Sequence, residues 1–371
     1  MTLIFTTQYD DFRKSVRGFL DQESPESRVR AVMSSPEESD TQTWQALQRT
    51  YEVARIGVPP EFGGVGPAVL QAAVISEELG RSLACVPFLG STVLAGTALR
   101  ASENVGIQRG ALPQLAEAES VACLALAEDA GRWDVGKCAT VAEPGADGFV
   151  IDGSKSFVLD GYQADVVLVV AAMSGRPALF LVDGHASGLS RTLLPTLDQT
   201  RKLARLTFSQ VPARLVCSGD STVSAIETAM ATSKVMLTLE QVGGAERLLE
   251  MSVSYAKLRV QFGRPIGSFQ AIKHKCADML VAVTNARAAA YSVVEELEAT
   301  GRVSAVRMGA AKAYCSDAYK QVAEATIQVH GGIGFTWEHS AHLYLKRAVA
   351  SAELFGSAEM HREIVGRELG I

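Results

Sequence analysis

A chain of 371 residues with 47% hydrophobic and 20% charged side chains is long enough for more than one packed core and too apolar to be disordered. Its 35 basic and 41 acidic residues leave a formal charge of -6, and no stretch gathers Lys and Arg densely enough to neutralise a nucleic-acid backbone. Six cysteines (Cys85, Cys123, Cys138, Cys217, Cys276 and Cys315) lie far apart, without a C-x-x-C pair or a His-Cys cluster at ligand spacing, and read as reduced thiols with no metal site.

The opening MTLIFTTQYDDF has no basic region followed by a long apolar one, so no secretory signal is expected and the compartment reads as cytoplasmic. Apolar residues then recur at helical spacing from Tyr9 to about Ala125, as in Phe12, Val16, Phe19 and Leu20, broken by PPEFGGVGP at Pro59 to Pro67. From Leu126 short β-branched runs replace that period. FVIDGSKSFVL carries Asp152-Gly153, a hairpin-turn dipeptide, between two apolar arms, and ADVVLVVAA and ALFLVD follow. The most apolar run, Ala164 to Met173, falls well short of the roughly 20 residues a spanning helix needs. From about Asp220 helical period returns, with Phe269, Ile272, Cys276, Met279, Val283, Ala286 and Ala290 on one stripe. Helices, then strands, then helices predict an α+β architecture: a helical domain over 1–125, a β domain over 126–219 and a helical bundle over 220–371. No G-x-G-x-x-G follows a strand. The nearest string, Gly331 to Gly334, lies between helices, which disfavours a doubly wound nucleotide fold.

Two strings carry the chemistry: RVQFGRPIGSFQ, Arg259 to Gln270, and QVHGGIGFTWEHSAHLYLKR, Gln328 to Arg347. Arg259 offers a planar, permanently charged donor fork suited to a diphosphate. Gly331, Gly332 and Gly334 let backbone amides approach an anion closely. Together the strings resemble the R-x-x-F-G-x-x-x-x-x-x-Q and Q-x-x-G-G-x-G signatures of the acyl-CoA dehydrogenases. PPEFGGVG, EELGR (Glu77 to Arg81) and the GSK before a strand match that family as well, so the resemblance spans nearly the whole chain. It implies an FAD enzyme of lipid metabolism that oxidises a CoA thioester between its α and β carbons. It further implies that Arg259, Phe262, Gln270, Gln328, Gly331 and Gly332 grip the adenosine and diphosphate of an FAD held mainly by the neighbouring subunit. His330 and His339 have no carboxylate or Cys at ligand spacing, so they are expected on a loop as packing residues and no metal is expected.

The same resemblance exposes departures. The family removes an α-proton with a glutamate, placed in most members in Tyr-Glu-Gly-Thr; here the text is Leu354-Phe355-Gly356-Ser357. A minority supplies the base from the preceding helix, and counting back from Phe262 puts Ser233 there. Neither side chain is a competent base. Where the family has Thr-Glu-Pro-x-x-x-Ser-Asp facing flavin, this chain reads Ala127-Glu128-Asp129 and continues to Trp133-Asp134; where it has Trp-Ile-Thr, this chain has Phe157-Val158-Leu159. The half-site lent to a neighbour is intact and the half-site the chain would use itself is altered. That asymmetry fits a heterotetramer in which a paralogous subunit carries the base and cradles the flavin, similar to assemblies associated with steroid side-chain breakdown in actinobacteria, with an electron-transfer flavoprotein as the family's usual acceptor. Two alternatives stay open: a self-sufficient homotetramer whose base is Glu240, two turns beyond Ser233 on the same face, or Glu353 beside the altered loop; and a non-catalytic scaffold.

Overall fold

The computed structural model describes residues 7–136, 138–145 and 148–371. Helices come first: α1 (Thr7–Glu23), α2 (Glu26–Ser34), α3 (Thr41–Tyr51), α4 (Val69–Ser82), α5 (Gly96–Ala101) and α6 (Val105–Ala116), with a π-helical stretch, Phe88–Ala95, leading into α5. Strands follow: β1 (Ala122–Ala125), β2 (Val141–Gly145), β3 (Gly148–Leu159), β4 (Val166–Met173), β5 (Arg176–Asp183), β6 (Leu189–Leu193) and β7 (Leu203–Ser218). The remainder is α7 (Asp220–Leu258), a hairpin of β8 (Val260–Gln261) and β9 (Arg264–Pro265), α8 (Gln270–Thr300), α9 (Ala305–His330), α10 (Ala341–Glu353) and α11 (Ala358–Leu369). The first strand thus begins at Ala122, just before residue 126, where the sequence pattern changes. Among the described residues no helix is long and apolar enough to cross a membrane.

The chain folds as two compact units, one comprising residues 31–72 and 85–233, the other residues 1–30, 73–84 and 234–371. In the first, seven strands form one sheet that closes on itself: β4 pairs β2, then β3, β7 and β5 follow, and β5 returns to β4. Only β1 and a single bridge from β2 run parallel to β4; the other pairings are antiparallel. Ile151, Val167, Val169, Phe180, Leu206 and Val211 fill its interior. β4 is buried on both sides, which explains why its sequence is an unbroken apolar run with no alternation.

The expected Asp152-Gly153 hairpin is not formed. Both residues lie inside β3, which runs unbroken from Gly148 to Leu159. Gly153 has φ +139, the register against β7 shifts between Ile151 and Gly153, and a Cβ there would sit 2.8 Å from the Thr140 backbone. The glycine serves a bulge and a close approach instead of a turn.

In the second unit the predicted α8 stripe is the buried one: Met279, Val283, Ala286 and Ala290 are fully enclosed, with Phe269, Ile272 and Cys276 half-buried at its start. α4 and α7 cross at two glycines. A Cβ on Gly243 would lie 1.8 Å from the Glu77 carbonyl oxygen, and one on Gly80 would lie 2.1 Å from that of Glu240. Beside the crossing, fully buried Glu77 accepts from Arg287 at 2.6 Å and from the Tyr291 hydroxyl at 2.6 Å. Burial alone would push its carboxyl up, but Arg287 and Arg13 hold it below the usual range.

Candidate functional site

The two signature strings meet at the end of α7. Tyr255, one turn before Arg259, stacks on His330 with ring centroids 4.4 Å apart, and His330 immediately precedes Gly331. His330 closes α9 and is not on a loop as expected: it is buried, its Nδ1 lies 2.8 Å from the Thr326 carbonyl, and His339 packs on it at 4.4 Å. Burial lowers the pKa of both imidazoles, and among the described residues no cluster could hold a metal. Gly331 adopts φ +64 and ψ -143, open to glycine alone, and starts a 3-10 turn through Phe335. A Cβ on either Gly331 or Gly332 would meet open space, so both present bare backbone to the surface.

Arg259 leads into the β8–β9 hairpin, which the Ile266 amide fastens by donating to the Arg259 carbonyl at 2.8 Å. Phe262 sits at the hairpin tip with φ +51 and 91% of its surface exposed, edge-on to Phe269 at 6.0 Å. Gln270 begins α8, and Gln328 lies in the last turn of α9. All six residues of the expected grip belong to one compact unit and all face solvent.

The base positions are different. Phe355 is 1% exposed and held at φ +63, a conformation costly for a bulky side chain. A polar cage fixes it. Lys312, fully buried on α9, donates to Ser316 Oγ at 2.9 Å and to the carbonyls of Ser351, Ala352 and Gly356 at 3.1–3.4 Å. His361 Nε2 lies 3.2 Å from the Phe355 carbonyl, and Gln241 reaches Ser316 at 3.1 Å. Burial drives Lys312 down to about 8 and His361 down to about 4. Nothing in the sequence reading singled out this cage; the available signal was a lysine inside an otherwise small and apolar stretch of α9. Ser233 is fully buried with no hydrogen-bond partner for its hydroxyl. Glu240 is also buried, 3.9 Å from Arg347, and Glu353 is exposed at the end of α10.

In the β unit, Glu128 keeps the position of the family's carboxylate but is saturated. It accepts from the Ala139 and Thr140 amides at 2.9 Å and from buried Lys155 at 3.0 Å. Burial opposes its ionisation, yet these bonds outweigh burial and hold it near 2. Ala127 and Leu159 are buried and bring no donor, while Phe157 sits at φ +58 where β3 is bulged against β7.

Models of the acyl-CoA dehydrogenase N-terminal and C-terminal domains match residues 6–119 and 223–370. The chain belongs to the acyl-CoA dehydrogenase family. It is 35% identical over 359 residues to the acyl-CoA dehydrogenase IpdE2 of Mycobacterium tuberculosis, covering 96% of this chain and 94% of that protein. Among solved structures it resembles the ChsE4-ChsE5 complex of Mycobacterium tuberculosis (27% identity, TM-score 0.87, 98% of each chain) and a variant of the Tcur3481-Tcur3483 steroid ACAD (28%, 0.86, 98% of each). The fold also superposes on acyl-CoA dehydrogenase from Geobacillus kaustophilus at TM-score 0.90 and 20% identity. Members are FAD-dependent oxidoreductases with a helical, a β and a helical domain, as these elements show. The exposed Arg259 fork and bare Gly331–Gly332 backbone suit the dinucleotide's diphosphate. When bound, FAD supplies the hydride acceptor for thioester oxidation.

Proposed function

We propose that this chain is one subunit of a heteromeric acyl-CoA dehydrogenase, lending Arg259, Phe262, Gln270, Gln328, Gly331 and Gly332 to an FAD cradled by a paralogous subunit that also supplies the base. One observation carries this reading: both base positions hold groups that cannot take a proton, Phe355 and Ser233, each fully buried, while the grip is assembled and faces outward. A general base contributes about 10²–10⁴ in rate, and Glu240 is a poor substitute because it is engaged with Arg347. A grip maintained on the surface also argues against a pure scaffold. The relatives' names favour a bulky CoA thioester of the steroid type as substrate, with an electron-transfer flavoprotein as acceptor. Co-expression with candidate paralogues followed by flavin quantification tests the reading. The expected outcome is about one FAD per pair of unlike subunits; an active, FAD-loaded homo-oligomer would refute it.

A further inference from the structure

From Met251 to Ala277 the chain contains no Asp or Glu, yet it carries Lys257, Arg259, Arg264, Lys273, His274 and Lys275. All but the half-buried Lys275 are exposed, and among the described residues none of the six pairs with a carboxylate. In the same unit other arginines are neutralised: Arg17 meets Glu78 at 2.8 Å, Arg81 meets Glu250 at 2.5 Å and Arg287 meets Glu77 at 2.6 Å. Arg264 finds only the Phe269 ring, 4.2 Å from its guanidinium carbon. Lys273, His274 and Lys275 fall in the first two turns of α8, where the helix macrodipole disfavours cations. Folding of the isolated chain therefore gains nothing from this charge. The hairpin beside it is equally unpartnered: Leu258 is 80% exposed and Val260 53%, flanking Phe262. A chain with net charge -6 leaves a basic face with an apolar tip on its surface, a composition that fits a recess with an acidic rim.

We propose that this face is a recognition surface for an acidic protein face on the unlike subunit, with the apolar hairpin tip as anchor and the cations setting association and partner choice. The inference rests on the proposed heteromeric function. It assigns Lys257, Arg264, Lys273, His274 and Lys275 a role separate from the grip, since one guanidinium and the glycine backbone already match a single diphosphate. Clustered opposite charges across an interface raise association rates and penalise like-charged partners, and both effects weaken with salt. Excess homodimers are disfavoured by the same means, because two copies would bring two basic faces to one acidic requirement.

The test uses the co-expressed complex. Its dissociation is followed by analytical ultracentrifugation across increasing sodium chloride, for wild type and for the double variant Lys257→Glu/Lys273→Glu. Both positions are exposed and unpaired, so the variant chain should fold with unchanged thermal stability. The expected result is at least about tenfold weaker assembly at low salt, a flatter salt dependence, and unchanged FAD per assembled complex. Assembly that ignores the charge reversal overturns the inference while leaving the heteromeric reading intact. Normal assembly with lost FAD also overturns it, because the face would then belong to the dinucleotide. An active, FAD-loaded homo-oligomer overturns the heteromeric reading, and the inference with it.

Discussion

Replacing Lys312 by Met isolates the energetics of the cage around Phe355. Lys312 is fully enclosed and its partners are neutral oxygens, so folding withdraws an ammonium from water with no carboxylate in hydrogen-bond contact. Burial lowers its pKa from 10.5 to about 8, only partly offset by the more distant Cys315 and Glu353. At roughly 1.4 kcal/mol per pH unit, that corresponds to about 3 kcal/mol. The sign is fixed by the direction of the shift. The folded state releases the proton more readily than the unfolded state, so between pH 8 and 10.5 the unfolded chain binds more protons and stability rises with pH. Below pH 8 the full cost is present, and above 10.5 it is gone. Urea unfolding of wild type and Lys312→Met from pH 7 to pH 10.5 gives the difference between them, in which the titrations common to both cancel. That difference should shift in favour of wild type by about 3 kcal/mol across the window. The carbonyls of Ser351, Ala352 and Gly356 lose their donor in the variant, an effect that offsets the curve without changing its slope. A difference independent of pH, or one that moves against wild type, would refute the reasoning.

Three further outcomes follow from the same geometry. Gly243→Ala drives a Cβ into the Glu77 carbonyl oxygen at the α4–α7 crossing, so it should cost about 3 kcal/mol or more by thermal unfolding, whereas Gly331→Ala meets open space and costs only backbone strain. Arg259→Ala should leave the chain's own stability unchanged because the side chain is exposed, yet weaken FAD retention in the mixed complex by about 1.5–3 kcal/mol, read by flavin content after gel filtration. Phe355→Glu should not restore turnover, since the carboxyl would be buried and Ala127 and Leu159 would still bring no donor to the flavin; measurable thioester oxidation by that variant alone would contradict the altered half-site.

Much of the fold was legible because it depends on period. The Met279 to Ala290 stripe and the unbroken apolar run of β4 state their environment directly in residue type. Asp152-Gly153 misled because a glycine with positive φ can serve a bulge as well as a turn, and only the approach of Thr140 separates the two. The grip was legible as paired strings, but not the Tyr255–His330 stacking that joins them, since their partners lie far apart in sequence. His330 looked like a loop residue because the glycines that follow it end the helix one position later. The Lys312 cage and the buried Glu77 network depend on three-dimensional convergence of α7, α9 and α10, or of α1, α4 and α8, which spacing along the chain does not encode.

The central claim is that this polypeptide cannot complete a catalytic flavin site by itself. Purification of the chain expressed alone, followed by its flavin absorbance and assay with a steroid-type CoA thioester, tests that most directly. Little or no FAD and no oxidation are expected, with both appearing on assembly with the paralogous subunit. A yellow homo-oligomer that turns over the thioester unaided would contradict the account, and loss of that turnover in Glu240→Gln or Glu353→Gln would then identify the base.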